Sequence, residues 1–172
     1  TQRKGHDTLV AALDLVRDLD WTCVCAGSLD RDLEHTRAVR DQVAAAGLAS
    51  RIRFLGDVDE EVLSRLYDAS SMFVLPSRYE GYGMAFTEAL ARGLPVVSTT
   101  GGAIPFTVPA EAGILVRPGD APAFAAALRS LLDGLSTRRE RMAAAARSHA
   151  ATLPSWEDSA AAFALAVDEL TR

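Results

Sequence analysis

Two glutamates, Glu80 and Glu88, lie on either side of a glycine-rich turn in the stretch "RYEGYGMAFTEALARGLPVVSTTGG", with seven residues between them. This stretch follows an apolar run at 72–75 and contains a second apolar run at 95–97. The pattern predicts a strand, a turn, a short helix and a second strand. Both glutamates then flank the N-terminus of a helix predicted at 84–92.

The turn itself could bind a phosphate. Gly83, Met84 and Ala85 would form the start of the helix, where free N–H groups and the helix dipole favour an anion. Glycines at 81 and 83 would let a ligand approach the backbone closely. Taken alone, however, this pattern is as typical of an ordinary strand–helix turn as of a ligand site.

The two carboxylates indicate a more specific ligand. Glu88 would lie a little over one turn into the helix, and its ionised carboxylate could accept hydrogen bonds from both hydroxyls of a ribose. Glu80, just before the turn, would face the group attached to the far side of the phosphate. Either glutamate by itself could be a solvated surface acid. Together they favour a ligand that contains both a nucleoside and a phosphate.

Composition limits the other classes of function. The 172 residues suit one domain with a full core, and 49% apolar and 24% charged residues are ordinary for a soluble α/β domain. The net charge of -5 and the absence of a long Lys/Arg block argue against binding to nucleic acid or to an anionic membrane. A local basic spot could still hold one phosphorylated ligand.

Cysteine spacing and hydropathy indicate the compartment. Cys23 and Cys25 lie two residues apart on a predicted strand, which is not a metal-binding spacing, so we expect two reduced thiols and no metal site. The chain shows no signal peptide and no apolar run of about 18 residues. We therefore expect a cytoplasmic protein, and the loop-like start at Thr1 suggests a part of a longer one.

Short apolar runs alternate with amphipathic segments along the chain. Such alternation predicts an α/β fold, a Rossmann-like parallel sheet with helices on both faces. Ligands of such folds bind beyond the carboxyl ends of the strands, so one rim of the sheet should contain the site. The strands are predicted at 21–26, 52–55, 72–75, 95–98 and 113–116, and the helices at 6–19, 31–46, 59–69, 84–92, 120–133, 136–150 and 155–170, with a loop at 101–111.

The stretch "PSRYEGYGMAFTEALARGLPVVST" resembles the E-x7-E signature of retaining glycosyltransferases of family 4, which have the GT-B architecture. The resemblance extends to "RKGHDTLVAAL" at 3–13, "RIRFLGDV" at 51–58 and "GILVRPGD" at 113–120, and so covers essentially the whole chain. It implies that residues 1–172 form the C-terminal donor-binding domain. It also implies that the first strand of the sheet is truncated and that the N-terminal acceptor domain is absent from this chain.

The resemblance assigns one set of residues to the donor diphosphate. Lys4 matches the lysine of the family that binds the diphosphate, and Arg3 is expected to assist it. The backbone at Gly83, Met84 and Ala85 matches the contacts of the family to the sugar and the phosphates. A cation beside helix N–H groups would neutralise a leaving diphosphate without a metal ion.

A second set corresponds to the nucleoside and the transferred sugar. Val58 matches a position that packs on the nucleobase, Glu88 matches the ribose-binding glutamate, and Glu80 matches the glutamate nearest the transferred sugar. Because family members are described as using front-face attack, Glu80 is expected to position and stabilise charge rather than to act as a nucleophile. No metal or other cofactor is expected, since the nucleotide sugar is itself the substrate.

The favoured hypothesis is a retaining, hexosyl-type glycosyltransferase, with this chain inactive on its own because the acceptor domain completes the site. Its partners would be the nucleotide-sugar donor and that acceptor domain. A peripheral membrane contact could form through the acceptor domain, and no transmembrane segment is expected. Two alternatives stay open: a nucleotide-binding module without transfer activity, and a GT-B-shaped sugar-nucleotide epimerase. A phosphorylase is disfavoured, because Lys4 is the only lysine and such enzymes hold pyridoxal phosphate on another.

The last predicted helix, at 155–170, has an apolar stripe along one face. Such a stripe usually closes the local core. The resemblance implies instead that part of the helix crosses to the N-terminal domain. We therefore expect Trp156 to pack against this domain, and Val167 and Leu170 to be less buried than the stripe suggests.

Overall fold

The computed structural model describes residues 1–133, 137–153 and 156–170. Strands and helices alternate along most of this length, as the sequence predicts. The strands are Cys23–Ala26 (β1), Ile52–Gly56 (β2), Phe73–Val74 (β3), Val96–Thr99 (β4) and Gly113–Val116 (β5). The helices are His6–Asp14 (α1), Leu33–Ala45 (α2), Glu60–Asp68 (α3), Met84–Ala91 (α4), Ile104–Thr107 (α5), Ala121–Leu132 (α6), Thr137–Ala150 (α7) and Trp156–Leu170 (α8).

The strand pairs among the described residues are all parallel, which confirms the predicted α/β class. β1 pairs with β2, and β4 lies between β3 and β5. The strands form two separate ladders, of two and three strands, because β1 and β3 do not pair with each other in the part of the chain that is described. The truncated first strand implied by the family resemblance stays a prediction.

The sheet has a core on each face. Val96 and Val97 are neighbours on β4, so their side chains point to opposite faces, and both are completely buried. Val97 belongs to the larger core, to which α1, α2 and α6 contribute. Val96 belongs to a smaller core with Phe86 and Leu90 of α4 and Ile104 of α5. Helices therefore cover both faces, as predicted.

Most predicted boundaries lie within two residues of the observed ones, and two features differ by more. α1 ends at Asp14 rather than at residue 19, because the chain tightens into a turn after it. In that turn the amide of Val16 bonds to the Leu13 carbonyl, and the Val16 carbonyl accepts a hydrogen bond from the Trp21 indole. The predicted loop at 101–111 contains the short helix α5, whose first residue is fully buried.

The far end of α8 is exposed, as predicted. Val167 is 42% exposed and Leu170 is 88% exposed, so the described residues do not fully cover this end of the apolar stripe. The predicted helix start at Ser155 lies outside the described residues, and so does the side chain of Trp156, whose packing was predicted. A contact between this stripe and an N-terminal domain stays a prediction.

A glycine brings the start of the chain against the end of β3. Residues Gln2–Lys4 form one turn of 3-10 helix, and Gly5 joins this turn to α1 with a positive φ of 69°. A β-carbon at Gly5 would lie 2.1 Å from the carbonyl oxygen of Pro76, which directly follows the β3 run. Only glycine allows this approach, and the approach fixes where Lys4 lies.

We predict that Gly5→Ala lowers the free energy of unfolding by roughly 3 kcal/mol or more, since the strain of a left-handed residue adds to a backbone clash. Gly47 is a matched control, because it has the same φ of 69° with no atom within 4 Å of an added β-carbon. Gly47→Ala should therefore cost only about 1 kcal/mol. Urea unfolding followed by circular dichroism measures the free energy of unfolding of both variants. Equal losses would contradict the role given to the close contact between Gly5 and Pro76.

Candidate functional site

The segments that follow β3 and β4 are joined to each other at the carboxyl rim of the sheet. Glu80 and Gly102 form an isolated parallel bridge, and the amide of Ala103 donates to the Glu80 carbonyl at 2.8 Å. The amide of Arg78 donates to the carbonyl of Arg3, also at 2.8 Å. Main-chain hydrogen bonds alone therefore fix the backbone on both sides of Glu80.

The carboxylate of Glu80 is buried, and three side chains donate to it. Lys4 Nζ lies 2.8 Å from Oε1, Ser77 Oγ lies 2.6 Å from the same oxygen, and Arg3 Nη1 lies 3.0 Å from Oε2. Glu80 is only 5% exposed, whereas the side chains of Lys4 and Arg3 are 31% and 48% exposed. One buried anion thus holds two cations at the surface of the rim.

These contacts determine the charge of Glu80. Burial alone would raise the pKa of this carboxyl group, but the hydrogen bonds from Lys4, Ser77 and Arg3 outweigh burial and hold the pKa below its ordinary value. Glu80 is therefore ionised at neutral pH. In this state it can accept hydrogen bonds and stabilise positive charge, but it has no proton to give as a general acid.

The glycine turn presents an uncapped helix N-terminus next to this cluster. Gly83 precedes α4 with a φ of 89°, and a β-carbon there would lie 2.7 Å from the ring of Phe86. No side chain caps the helix, and no acidic residue occupies its first turn. The first N–H groups, at Met84 and Ala85, have no carbonyl within the helix to bond, so an anion could bind them.

Glu88 lies on α4 in a different environment. It is exposed, and its Oε2 accepts a hydrogen bond at 3.0 Å from the hydroxyl of Tyr67 on α3. Burial, and then the negative charge of Glu88, raise the pKa of Tyr67, so the phenol stays a hydrogen-bond donor at neutral pH. Among the described residues, no hydrogen bond or ion pair joins Glu88 to the cluster around Glu80.

The structure places each residue that the sequence singled out on the expected rim or on α4. Arg3 and Lys4 contact Glu80 directly, Gly83, Met84 and Ala85 form the turn, and Val58 lies half-buried in the loop between β2 and α3. Their roles toward a ligand stay predictions. No group of three or more His, Cys, Asp or Glu residues that could hold a metal ion occurs in the described ranges.

Sequence reasoning gave no site role to two contacting residues, Ser77 and Tyr67. The pattern does place Ser77 on the rim, because Pro76 and Ser77 follow the apolar run of β3, but it does not indicate a contact with Glu80. Tyr67 gave no such signal, because it lies on another helix. Of the helices described, none is long and apolar enough to cross a membrane.

Comparison with known proteins gives consistent matches. A family model described as glycosyl transferases group 1 matches residues 1–134. The D-inositol 3-phosphate glycosyltransferase of Geodermatophilus obscurus is 36% identical over 143 residues, which cover 80% of this chain and 31% of that protein. The chain spans less than half the length of the first curated relatives it matches.

Solved structures share the fold. Sucrose-phosphate synthase from Thermosynechococcus elongatus superposes with a TM-score of 0.89 and 31% identity, over 99% of this chain and 43% of that one. The C-terminal domain of a group 1 family glycosyl transferase from Francisella tularensis superposes with a TM-score of 0.79 and 30% identity, over 88% of this chain and 80% of that one.

We predict that Glu80→Gln removes more stability at neutral pH than in acid. Because the folded-state pKa lies below the 4.5 of a free glutamate, Glu80 contributes stability above that value, and this contribution is lost as the pH falls through the folded-state pKa. The variant should be less stable than the parent by about 1–3 kcal/mol at neutral pH, and by less at about pH 3.5. Urea unfolding at both values measures the difference.

Glu61→Gln is the control, because Glu61 is a highly exposed acid of α3 that pairs only with Arg65 among the described residues. Its effect should be small at both pH values, as for other surface pairs. A Glu80→Gln difference that stays constant from neutral to acidic pH would contradict the inferred pKa.

Proposed function

The chain belongs to the glycosyl transferases group 1 family, and from this premise we propose that it binds the donor, a nucleoside-diphosphate sugar, for a retaining transferase of family 4. One observation supports the proposal best: the buried, ionised Glu80 holds Lys4 and Arg3 beside the uncapped N-terminus of α4. This arrangement combines an anion site with a carboxylate that faces the same rim. The fold agrees with the C-terminal half of the GT-B architecture.

In this proposal the diphosphate binds to Lys4, Arg3 and the N–H groups at 83–85. The ammonium of Lys4 has three N–H donors and, among the described residues, bonds only to Glu80, which leaves two donors for phosphate oxygens. The cations therefore need not leave Glu80 when the ligand binds. Positive charge and helix N–H groups at one place would stabilise the leaving diphosphate without a metal ion.

Glu80 would act on the sugar as a charged positioning group. A front-face reaction that retains configuration builds positive charge at the anomeric carbon, and an ionised carboxylate nearby stabilises that charge. Three donors already hold the carboxylate in place, so little reorganisation is needed. These same contacts occupy both of its oxygens, which disfavours a role as a covalent nucleophile.

The nucleoside would lie farther along the rim, with Val58 against the base and Glu88 on the ribose. Transfer would need an N-terminal acceptor domain, so we propose that this chain binds donors but does not turn them over. A cytoplasmic location is part of the proposal and rests on the sequence alone.

We predict that nucleotide affinity depends on the side chain of Lys4 but does not require the charge of Glu80. Lys4→Met should weaken binding of the best of UDP, GDP and ADP by about 1.5–3 kcal/mol, the scale of a charged hydrogen bond. Glu80→Gln should leave this affinity unchanged or raise it, since it removes negative charge from beside the cations. Calorimetry measures both, with Arg37→Met on the exposed surface of α2 as the charge control. A parent chain that binds none of the three diphosphates would refute the proposed function.

The ribose contact has its own test. Glu88→Gln should weaken binding of the ribonucleoside diphosphate by roughly 1–3 kcal/mol. It should leave binding of the 2′,3′-dideoxy analogue nearly unchanged, because the analogue lacks both hydroxyls. If the parent chain binds the two ligands equally well, Glu88 does not hold the ribose.

A further inference from the structure

We propose that Tyr67 is a positioning residue for the ribose: its hydroxyl holds one oxygen of the Glu88 carboxylate and so turns the other oxygen toward the ribose hydroxyls. This inference rests on the proposed function, in which Glu88 accepts hydrogen bonds from the ribose. It adds a residue from a second helix, one that is not part of the E-x7-E spacing.

The geometry divides the two oxygens of Glu88. Tyr67 donates to Oε2 at 3.0 Å, and Oε1 accepts no hydrogen bond from the residues that the structure describes. An ionised carboxylate has about four lone-pair positions, so one phenol leaves ample capacity for two hydroxyls. The exposed side chain of Glu88 would otherwise sample several rotamers.

The ring of Tyr67 is held by the core beneath it. It packs against Phe73 of β3, with ring centroids 6.2 Å apart, and Phe73 packs edge-on against Phe86 with centroids 5.6 Å apart. Phe86 is fully buried and precedes Glu88 by two residues on α4. The phenol and the carboxylate are therefore anchored to the same aromatic cluster.

A polar contact near the C-terminal ends of both helices keeps α3 and α4 together. Arg92, at the end of α4, donates to Ser64 at 2.9 Å and to Asp68 at 2.8 Å, both on α3. Asp68 is the residue after Tyr67, so this contact resists separation of the phenol from Glu88. The two helices thus present the hydrogen bond as part of a fixed unit.

Fixing Glu88 before the ligand arrives lowers the cost of binding. Immobilising a glutamate side chain costs conformational entropy, which a preorganised site does not have to overcome again when the ligand binds. The benefit concerns only the ribose, because no described contact links Tyr67 to the diphosphate cluster. Tyr67 should therefore affect discrimination between ribose and dideoxyribose rather than nucleotide binding in general.

The variant Tyr67→Phe keeps the ring packing and removes only the hydroxyl. With whichever of UDP, GDP and ADP binds the parent best, we expect affinity to fall about 3- to 10-fold, the scale of one hydrogen bond. Affinity for the 2′,3′-dideoxy analogue should change less than about twofold. Tyr79→Phe is the matched control, because the hydroxyl of this exposed tyrosine makes no hydrogen bond within the described residues.

A double-mutant cycle tests whether Tyr67 acts through Glu88. In a Glu88→Gln background, Tyr67→Phe should cause no more than about a twofold further loss of ribonucleotide affinity. A full additional loss, or an equal loss for ribo- and dideoxy ligands, would overturn the positioning role. The positioning role would also be overturned if Glu88→Gln weakened binding but Tyr67→Phe did not. That result would leave the proposed function intact. A parent chain without nucleotide binding would overturn both.

Discussion

The buried ion-pair cluster of Glu80 is the constraint on which the rim depends. A carboxylate that is 5% exposed must be paired and hydrogen-bonded, because an isolated buried charge is very costly. The two charged partners come from the start of the chain, 76 and 77 positions away from Glu80. Satisfying this one group therefore forces residues 3–4 onto the loop that follows β3. The Glu80–Gly102 bridge adds the loop that follows β4, so three segments meet around one charge.

The strands could be predicted well from the sequence, and the ends of some helices could not. Each strand is a short apolar run between glycines, prolines or polar residues, and the β5 range, 113–116, was predicted to the residue. The end of α1 depends on a contact from outside the helix, because the Trp21 indole bonds to the Val16 carbonyl in the turn that follows. α5 has only four residues and is fixed by burial of Ile104, which local periodicity cannot indicate.

For the candidate site, local spacing identified single residues but not their partners. The interval between Glu80 and Glu88 and the glycines between them are visible in the sequence. The ion pairs of Glu80 and the phenol on Glu88 depend on how the strands and helices are ordered in space. The family resemblance indicates Lys4 and Arg3 for a different reason, because it assigns them to the donor diphosphate. The direct contact of both cations with Glu80 is a result of the structure.

The two glutamates differ in how their charge is balanced, so one end of the rim is positively charged and the other is negatively charged. Two cations face Glu80, so that cluster has one net positive charge next to the free N–H groups of α4. Glu88 accepts a hydrogen bond from a neutral phenol at an exposed position and has no cation partner among the described residues. An elongated ligand matches this arrangement when its diphosphate faces the positive cluster and its vicinal hydroxyls face Glu88. The reverse orientation would place phosphate against the carboxylate of Glu88. In the proposed function, the rim thus selects the direction of the nucleotide as well as its chemistry, and a single helix, α4, sets the spacing between the two ends.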